Sequence, residues 1–233
     1  MLARILEPEV MDTAAEASDY NSMDHSAVNR VFVDDLLAAA ASVPKSSSGT
    51  WQIFDAGTGT ALIPLELTSR SVAVTITASD LAEHMLIVAR ANVQAAGLAD
   101  SIRLTLSDCK QLPDDDAIYD IVMSNSIVHH IPEPLLVLRE LWRVLKPGGL
   151  LFVRDLMRPE NLVTLNQWVQ TYAGDANSHQ QQMFRDSLHA ALTVREVSDL
   201  LATIGIRTEA VRATSDRHWT VAIRKTAPHA APA

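Results

Sequence analysis

From residue 52 onward, short apolar runs alternate with longer stretches whose apolar residues recur every three or four positions. Runs of the first kind suit strands buried on both faces; stretches of the second kind suit amphipathic helices. Residues 52–55 (QIFD) form a brief strand that opens into a Gly-rich turn, and a helix over 61–70 follows. Residues 72–78 (VAVTITA) are β-branched and bounded by Ser79-Asp80, which marks a second strand. A helix over 81–96 is closed by Gly97 as its C-cap. Strands over 102–106 and 118–124 come next. Residues 135–146 give the clearest helix: Leu135, Leu138, Leu141, Trp142 and Leu145 recur at helical spacing behind Pro132, Glu133 and Pro134. Pro147-Gly148-Gly149 reads as its stop, and 150–153 begins a fifth strand.

Strands alternating with helices in this way predict a parallel sheet covered on both faces. At the end, a helix over 193–204 precedes strands 207–213 and 218–224 around the polar turn 214–217. This predicts an antiparallel hairpin on the sheet's far edge. The fold class expected is α/β, a doubly wound, mostly parallel seven-stranded sheet with an antiparallel C-terminal hairpin and a helical cap. Residues 1–233 are read as one domain. The cap elements are 20–43 and 159–192, both expected over the sheet's carboxyl edge, where open α/β sheets bind ligands. The first holds a helix over 26–43 with Val28, Val31, Phe32 and Leu36 on one side. The second is a polar insertion rich in Asn, Gln and His. Residues 46–49 (SSSG) read as a flexible connector and 226–233 as a frayed tail.

Composition narrows the functional classes. At 233 residues with 48% hydrophobic and 20% charged, the chain is long and apolar enough for one well-packed domain. A net charge of −9 and the lack of any Lys/Arg-rich run argue against nucleic acid as a partner. Cys109 is the single cysteine, so no internal disulfide forms. Residues 1–20 carry acids where a signal peptide would be apolar, and no apolar run approaches the roughly 18 residues of a membrane span. The expectation is a cytoplasmic protein with no membrane partner.

The candidate chemistry begins where the first strand ends, at Asp55-Ala56-Gly57-Thr58-Gly59-Thr60-Ala61. Glycines let the backbone turn sharply and approach a ligand, with a helix N-terminus following. The spacing is not that of G-x-G-x-x-G dinucleotide binders. Asp80, 21 residues beyond Gly59, closes the second strand, where an acid can accept from both hydroxyls of a ribose; capping the next helix is the structural alternative. Asp108 follows the third strand and is placed to accept from an adenine amino group, or serves only as a turn residue.

Together these features resemble the class I S-adenosyl-methionine (SAM)-dependent methyltransferase superfamily, over roughly 52–224. The D-x-G-x-G motif is matched by Asp55, Gly57 and Gly59, and the acid after the second strand by Asp80. The acidic turn after the third strand is matched by Asp108-Cys109, with Lys110 where Met or Leu is usual. Residues 119–126 (YDIVMSNS), then 128–132 (VHHIP), resemble the fourth-strand motif, and 145–149 (LKPGG) the turn into the fifth strand. Ala61 stands where the family often has a third Gly. In the small-molecule branch, which resembles ubiquinone-biosynthesis methyltransferases, an upstream Tyr-Asp lies near the cofactor; Tyr20-Asn21 is its counterpart here. The resemblance implies a Rossmann-like fold, SAM as cofactor, and Tyr20, Asp55, Gly57, Gly59, Asp80, Leu81, Asp108, Cys109 and Asn125 as cofactor-binding residues.

The resemblance also implies methyl transfer to a small-molecule acceptor through an O, N or C nucleophile, with a homodimer left open. His129 and Asp155, at the ends of the fourth and fifth strands, are the candidate bases, since histidine titrates near neutrality. His25, His129, His130, Arg154, Tyr172 and His179 are candidates for the acceptor pocket. A metal reading of His129 and His130, joined by His25, has no ligand spacing behind it, and no metal is expected. Two rival functions share the sheet: a nicotinamide-dependent oxidoreductase, and a SAM-binding regulator without catalysis.

Overall fold

The computed structural model describes residues 1–10 and 12–226; the tail expected over 226–233 lies outside them except for Thr226. Seven strands form one sheet: β1 (Trp51–Ala56), β2 (Val74–Asp80), β3 (Ile102–Leu106), β4 (Tyr119–Asn125), β5 (Leu145–Leu156), β6 (Val211–Ala213) and β7 (His218–Arg224). Their order is β3-β2-β1-β4-β5-β7-β6. β1 pairs parallel with β2 and with β4, β2 parallel with β3, and β6 antiparallel with β7. Strand order reverses between β1 and β4, so a crevice opens at their carboxyl ends. Among the described residues, eight α-helices accompany the sheet: α1 (Ala14–Ser22), α2 (Ser26–Ala40), α3 (Leu62–Thr68), α4 (Glu83–Ala95), α5 (Pro134–Val144), α6 (Leu162–Ala173), α7 (Ser178–Ala190) and α8 (Val194–Thr203).

The chain divides into two compact units. One comprises Met1–Val10, Ser126–Leu135 and Arg154–Val221; the other is the rest of the described residues. The second contains β1 to β4 and the larger core, where Phe32, Val33, Leu36 and Ala40 of α2 join Trp51, Ile53, Ile76, Ile121 and Phe152. Phe32 meets Phe152 edge-on at 5.1 Å between centroids. The helix expected as part of a cap is therefore a layer of this core. Its buried stripe is Asn29, Phe32, Val33, Leu36 and Ala40, while Val28 and Val31 are exposed, so the face predicted from the valines is rotated.

In the first unit, residues 159–192 are an α6–α7 pair with an apolar core of its own. Leu165, Val169, Leu188 and Ala191 pack with Leu156, and Leu2, Trp168 and Phe184 close around them.

Several boundaries differ from expectation, three of them for clear physical reasons. α3 starts at Leu62 because Ala61 takes a left-handed backbone, φ 64°, that no right-handed helix continues. Pro147-Gly148-Gly149 lies inside β5, which follows α5 with no loop: Gly148 N donates to Lys225 O at 2.6 Å and Lys225 N to Gly149 O at 2.9 Å. The first arm of the C-terminal hairpin shrinks to β6, behind a 3-10 turn at Thr208–Ala210. No helix among the described residues is long and apolar enough to cross a membrane.

Candidate functional site

In the larger unit, the Gly-rich turn leaves β1 at the β1/β4 crevice. Gly57 (φ 70°) and Gly59 (φ 55°) need the left-handed region that glycine enters freely. Space is not the constraint at Gly59, where a Cβ would meet only Tyr20 Cε1 at 3.7 Å. Gly57 N and Thr58 N donate to Ser79 O at 2.8 and 2.9 Å, tying the turn to the end of β2. Asp80 completes the tie: Oδ2 accepts from Gly59 N at 2.7 Å and Oδ1 from Ala82 N at 2.9 Å. The N-cap of α4 is Ala82, while Asp80 braces the glycine loop and the approach to α4 with one carboxylate that keeps further lone pairs. Burial raises its pKa, and its backbone donors hold it down in part.

Tyr20, Asn29, Asp55, Gly57, Thr58, Leu62, Ile63 and Asn125 line a cleft at this turn. Asp55 is 2% exposed, and burial, with Asp80 adding a like charge, pushes its carboxyl up to about 7. The same burial, with Asp80 and Asp55 nearby, pushes the Tyr20 hydroxyl up to about 12. Tyr20 comes from α1, which Thr13 and Glu16 start with a reciprocal capping box. Asn92 Nδ2 donates to Asn21 Oδ1 at 2.8 Å and to Thr60 O at 2.9 Å, locking α1, α4 and the glycine turn together. Asp12 supplies α4 with a cap from outside, accepting from His84 N at 2.9 Å. Asn29, Thr58, Leu62 and Ile63 were not among the expected site residues, and Asn29 is the one that α2 contributes. Its signal was available: a polar side chain on the stripe that α2 buries.

The remaining expected cofactor residues surround this turn. Leu81, beside Asp80, is 40% exposed. Asp108 is occupied by its neighbour, accepting from Lys110 N at 2.9 Å and pairing with Lys110 Nζ at 3.0 Å. The Cys109 thiol is pushed up to about 12, by burial first and then by Asp80, while the Gly57 N–H opposes the shift. His25 stacks on Tyr20 at 4.5 Å and its Nε2 meets Tyr20 O at 3.1 Å. A carboxylate with spare lone pairs suits a vicinal diol, and a buried acid without its proton suits a cation.

The smaller unit holds a second cluster. His129 Nδ1 lies 2.5 Å from Asp155 Oδ1, and its backbone N–H donates to Asp155 Oδ2 at 3.0 Å. Burial pushes Asp155 up, but the His129 field and bond prevail and hold it below the usual carboxylate range. Burial lowers His129, and Asp155 more than reverses this, raising it above 6.5. His130, its ring tilted against that of His129 at 4.1 Å between centroids, is driven down to about 3 by burial and then by His129. Glu7 Oε1 faces both rings, 3.6 Å from His129 Nε2 and 3.2 Å from His130 Nδ1. Glu7 was missed because residues 1–10 carry no periodic pattern. Arg4 holds them down, donating to Ala190 O, Ile131 O and His129 O at 2.7, 3.0 and 3.1 Å. His129 is thus a buried ring with both nitrogens facing carboxylates, not the open base expected.

The other expected acceptor residues are separate from this cluster. Arg154 is buried, its Nε on Thr220 Oγ1 at 2.9 Å. Tyr172 bonds Asp216, with the Arg217 guanidinium 3.4 Å over its ring. His179 stands exposed in the first turn of α7.

Residues 54–153 match a family model described as a methyltransferase domain. A demethylmenaquinone methyltransferase from Protochlamydia amoebophila is 30% identical over 141 residues, covering 54% of this chain and 56% of that protein. The first curated relatives are matched over 38% to 56% of their own length. A SAM-dependent methyltransferase structure from Aquifex aeolicus aligns with TM-score 0.65 at 20% identity, covering 90% of this chain and 97% of that one. The plantazolicin methyltransferase BpumL, solved with a desmethyl-plantazolicin analogue and SAH, aligns with TM-score 0.67 at 14% identity, covering 91% of each. At these identities the structural likenesses establish the fold.

Proposed function

We propose that this chain, whose residues 54–153 match a methyltransferase-domain model, is a member of the class I SAM-dependent methyltransferase superfamily and transfers the methyl group of SAM to a small-molecule acceptor. The observation that carries this reading is the β1/β4 cleft. There a buried acid, a glycine turn and the β2-end carboxylate occur in the family's order, with Tyr20 set over the turn.

The residues fit the cofactor. Asp80 would take the ribose diol, keeping the loop bonds that orient it. Asp55 would face the ammonium group of the amino-acid end, and losing its proton there would cost little. Leu81 would cover the adenine, with Cys109 as an inert wall. Asp108 would serve the adenine amino group only in competition with Lys110. Tyr20 and Asn29 would exclude water from the cleft. When bound, the cofactor supplies an activated methyl group, and the protein's task is alignment in a dry site. We assign His129 and Asp155 no proton transfer, because that cluster is closed on itself. A cytoplasmic setting belongs to the same reading.

The test is incubation of the protein and methyl-labelled SAM with metabolite extract, read by mass spectrometry, beside calorimetry of SAM and NADH. A labelled product and SAM binding are expected. Asp80→Ala should weaken SAM binding by about 1–3 kcal/mol, as expected when buried polar groups lose their partner. SAM binding without any labelled product would make the protein a non-catalytic SAM binder, and NADH binding in place of SAM would make it an oxidoreductase.

A further inference from the structure

The Glu7–His129–His130 cluster has a use that methyl transfer does not absorb. Two of its members have a second contact that commits a further polar atom. His129 Nδ1 is taken by Asp155 Oδ1 at 2.5 Å, which leaves Nε2 to face Glu7 Oε1 at 3.6 Å. Glu7 Oε2 accepts from Ser187 Oγ at 3.3 Å, which leaves Oε1. His130 Nδ1, buried without a hydrogen-bond partner, faces Glu7 Oε1 at 3.2 Å. Glu7 Oε1 is likewise buried without a donor. Three possible ligand atoms therefore converge, two of them buried without a hydrogen-bond partner, an arrangement that is costly unless a cation stands at the centre.

We propose that Glu7, His129 and His130 bind one divalent transition-metal ion, with zinc the best match to the donor set. The three ligand atoms lie within 4.8 Å of one another, and the two Glu7–His separations are 3.6 and 3.2 Å. Two imidazoles and one carboxylate are a recurrent zinc set, and tetrahedral bonds of about 2.0–2.1 Å place ligand atoms roughly 3.3 Å apart. Asp155 supplies the outer support typical of a metal-bound histidine, fixing the ring's tautomer and orientation. Arg4 braces the backbone on both sides of the rings, and Ile5 N donates to His189 O at 3.1 Å, so Glu7 is delivered on an anchored segment. The ion would fasten residues 1–10 to the turn after β4. The third ligand is then Glu7, in place of the His25 weighed from sequence.

The site is independent of the cofactor reading, since zinc uptake and SAM binding are measured separately. The full chain is dialysed against a chelator, then titrated with Zn(II) against a metal indicator and with Co(II) as a spectroscopic probe. One equivalent is expected, with the visible absorption of tetrahedral Co(II) and a rise in melting temperature that chelator reverses. Asp155→Asn should weaken zinc binding about 10–100-fold, the usual cost of losing an outer partner. Glu7→Gln and His130→Asn should weaken it further. Failure of the wild-type chain to take up a stoichiometric ion overturns the proposal, whether or not the variants fold. Uptake that survives both Glu7→Gln and His130→Asn, in chains folded by circular dichroism, overturns it equally.

Discussion

Asp55 and Ala61 bracket the glycine turn and show how much a single position can cost. Asp55 is held in the core with its pKa near 7, whereas an unfolded chain titrates aspartate near 3.9. The folded state therefore holds the proton more tightly. Stability from this group is fully present below pH about 4 and is lost as pH rises through about 7. Asp55→Asn removes the charge at nearly constant volume. Melting curves of variant and wild type should coincide near pH 4 and separate in the variant's favour by pH 8, by at most roughly 4 kcal/mol. A wild type that outlasts the variant at pH 8 would mean that Asp55 is ionised and paired. Ala61 is buried at φ 64°. Its left-handed backbone costs roughly 1–2 kcal/mol. The buried methyl returns about 0.8 kcal/mol, and a less flexible unfolded chain than glycine's returns about 0.4–1 kcal/mol. The terms nearly cancel, which is why alanine is tolerated at this left-handed position.

At the scale of elements, caps and close approaches decide boundaries that periodicity blurs. Thr13-Ala14-Ala15-Glu16 and Thr193-Val194-Arg195-Glu196 are both capping boxes, and both helices begin where those boxes place them. The start of β5 is set by contact. A Cβ on Gly149 would stand 2.7 Å from Asp120 O and 3.0 Å from Lys146 O, both backbone atoms that cannot swing aside. Asp120 is itself committed, accepting from Gln52 N at 2.8 Å and from Lys146 Nζ at 2.7 Å. Gly149→Ala should therefore cost about 1–3 kcal/mol, the range for forced overpacking, read as a lower urea midpoint. Gly97→Ala is the control: a Cβ there meets nothing within 4 Å, so only the strain of φ 69° is felt. Equal losses in the two variants would show that the β5 backbone yields.

For the molecule as a whole, a ligand that binds only the native state raises stability by mass action. SAM or SAH at a hundred times its dissociation constant should add about 2.7 kcal/mol to unfolding, and NADH at the same concentration nothing. A thermal-shift series with the reverse pattern would overturn the cofactor reading.

Much of this was open to sequence reasoning. The β1-to-β4 order, the left-handed glycines and Asp80 at a strand end are local in sequence, because strand periodicity and turn chemistry act over a few residues. Asn29 was hidden because a helix's polar residues report exposure until its neighbours are known, and the valines suggested a different face. The zinc-like cluster was hidden more deeply. Glu7 lies more than a hundred residues from His129, in a segment without periodicity, and only chain closure brings the two together. His129 and His130 mark themselves in sequence as chemically able. Whether their ring nitrogens meet an acceptor, a proton or a metal depends on where Asp155 and Glu7 are brought against them, and that is a property of tertiary structure alone.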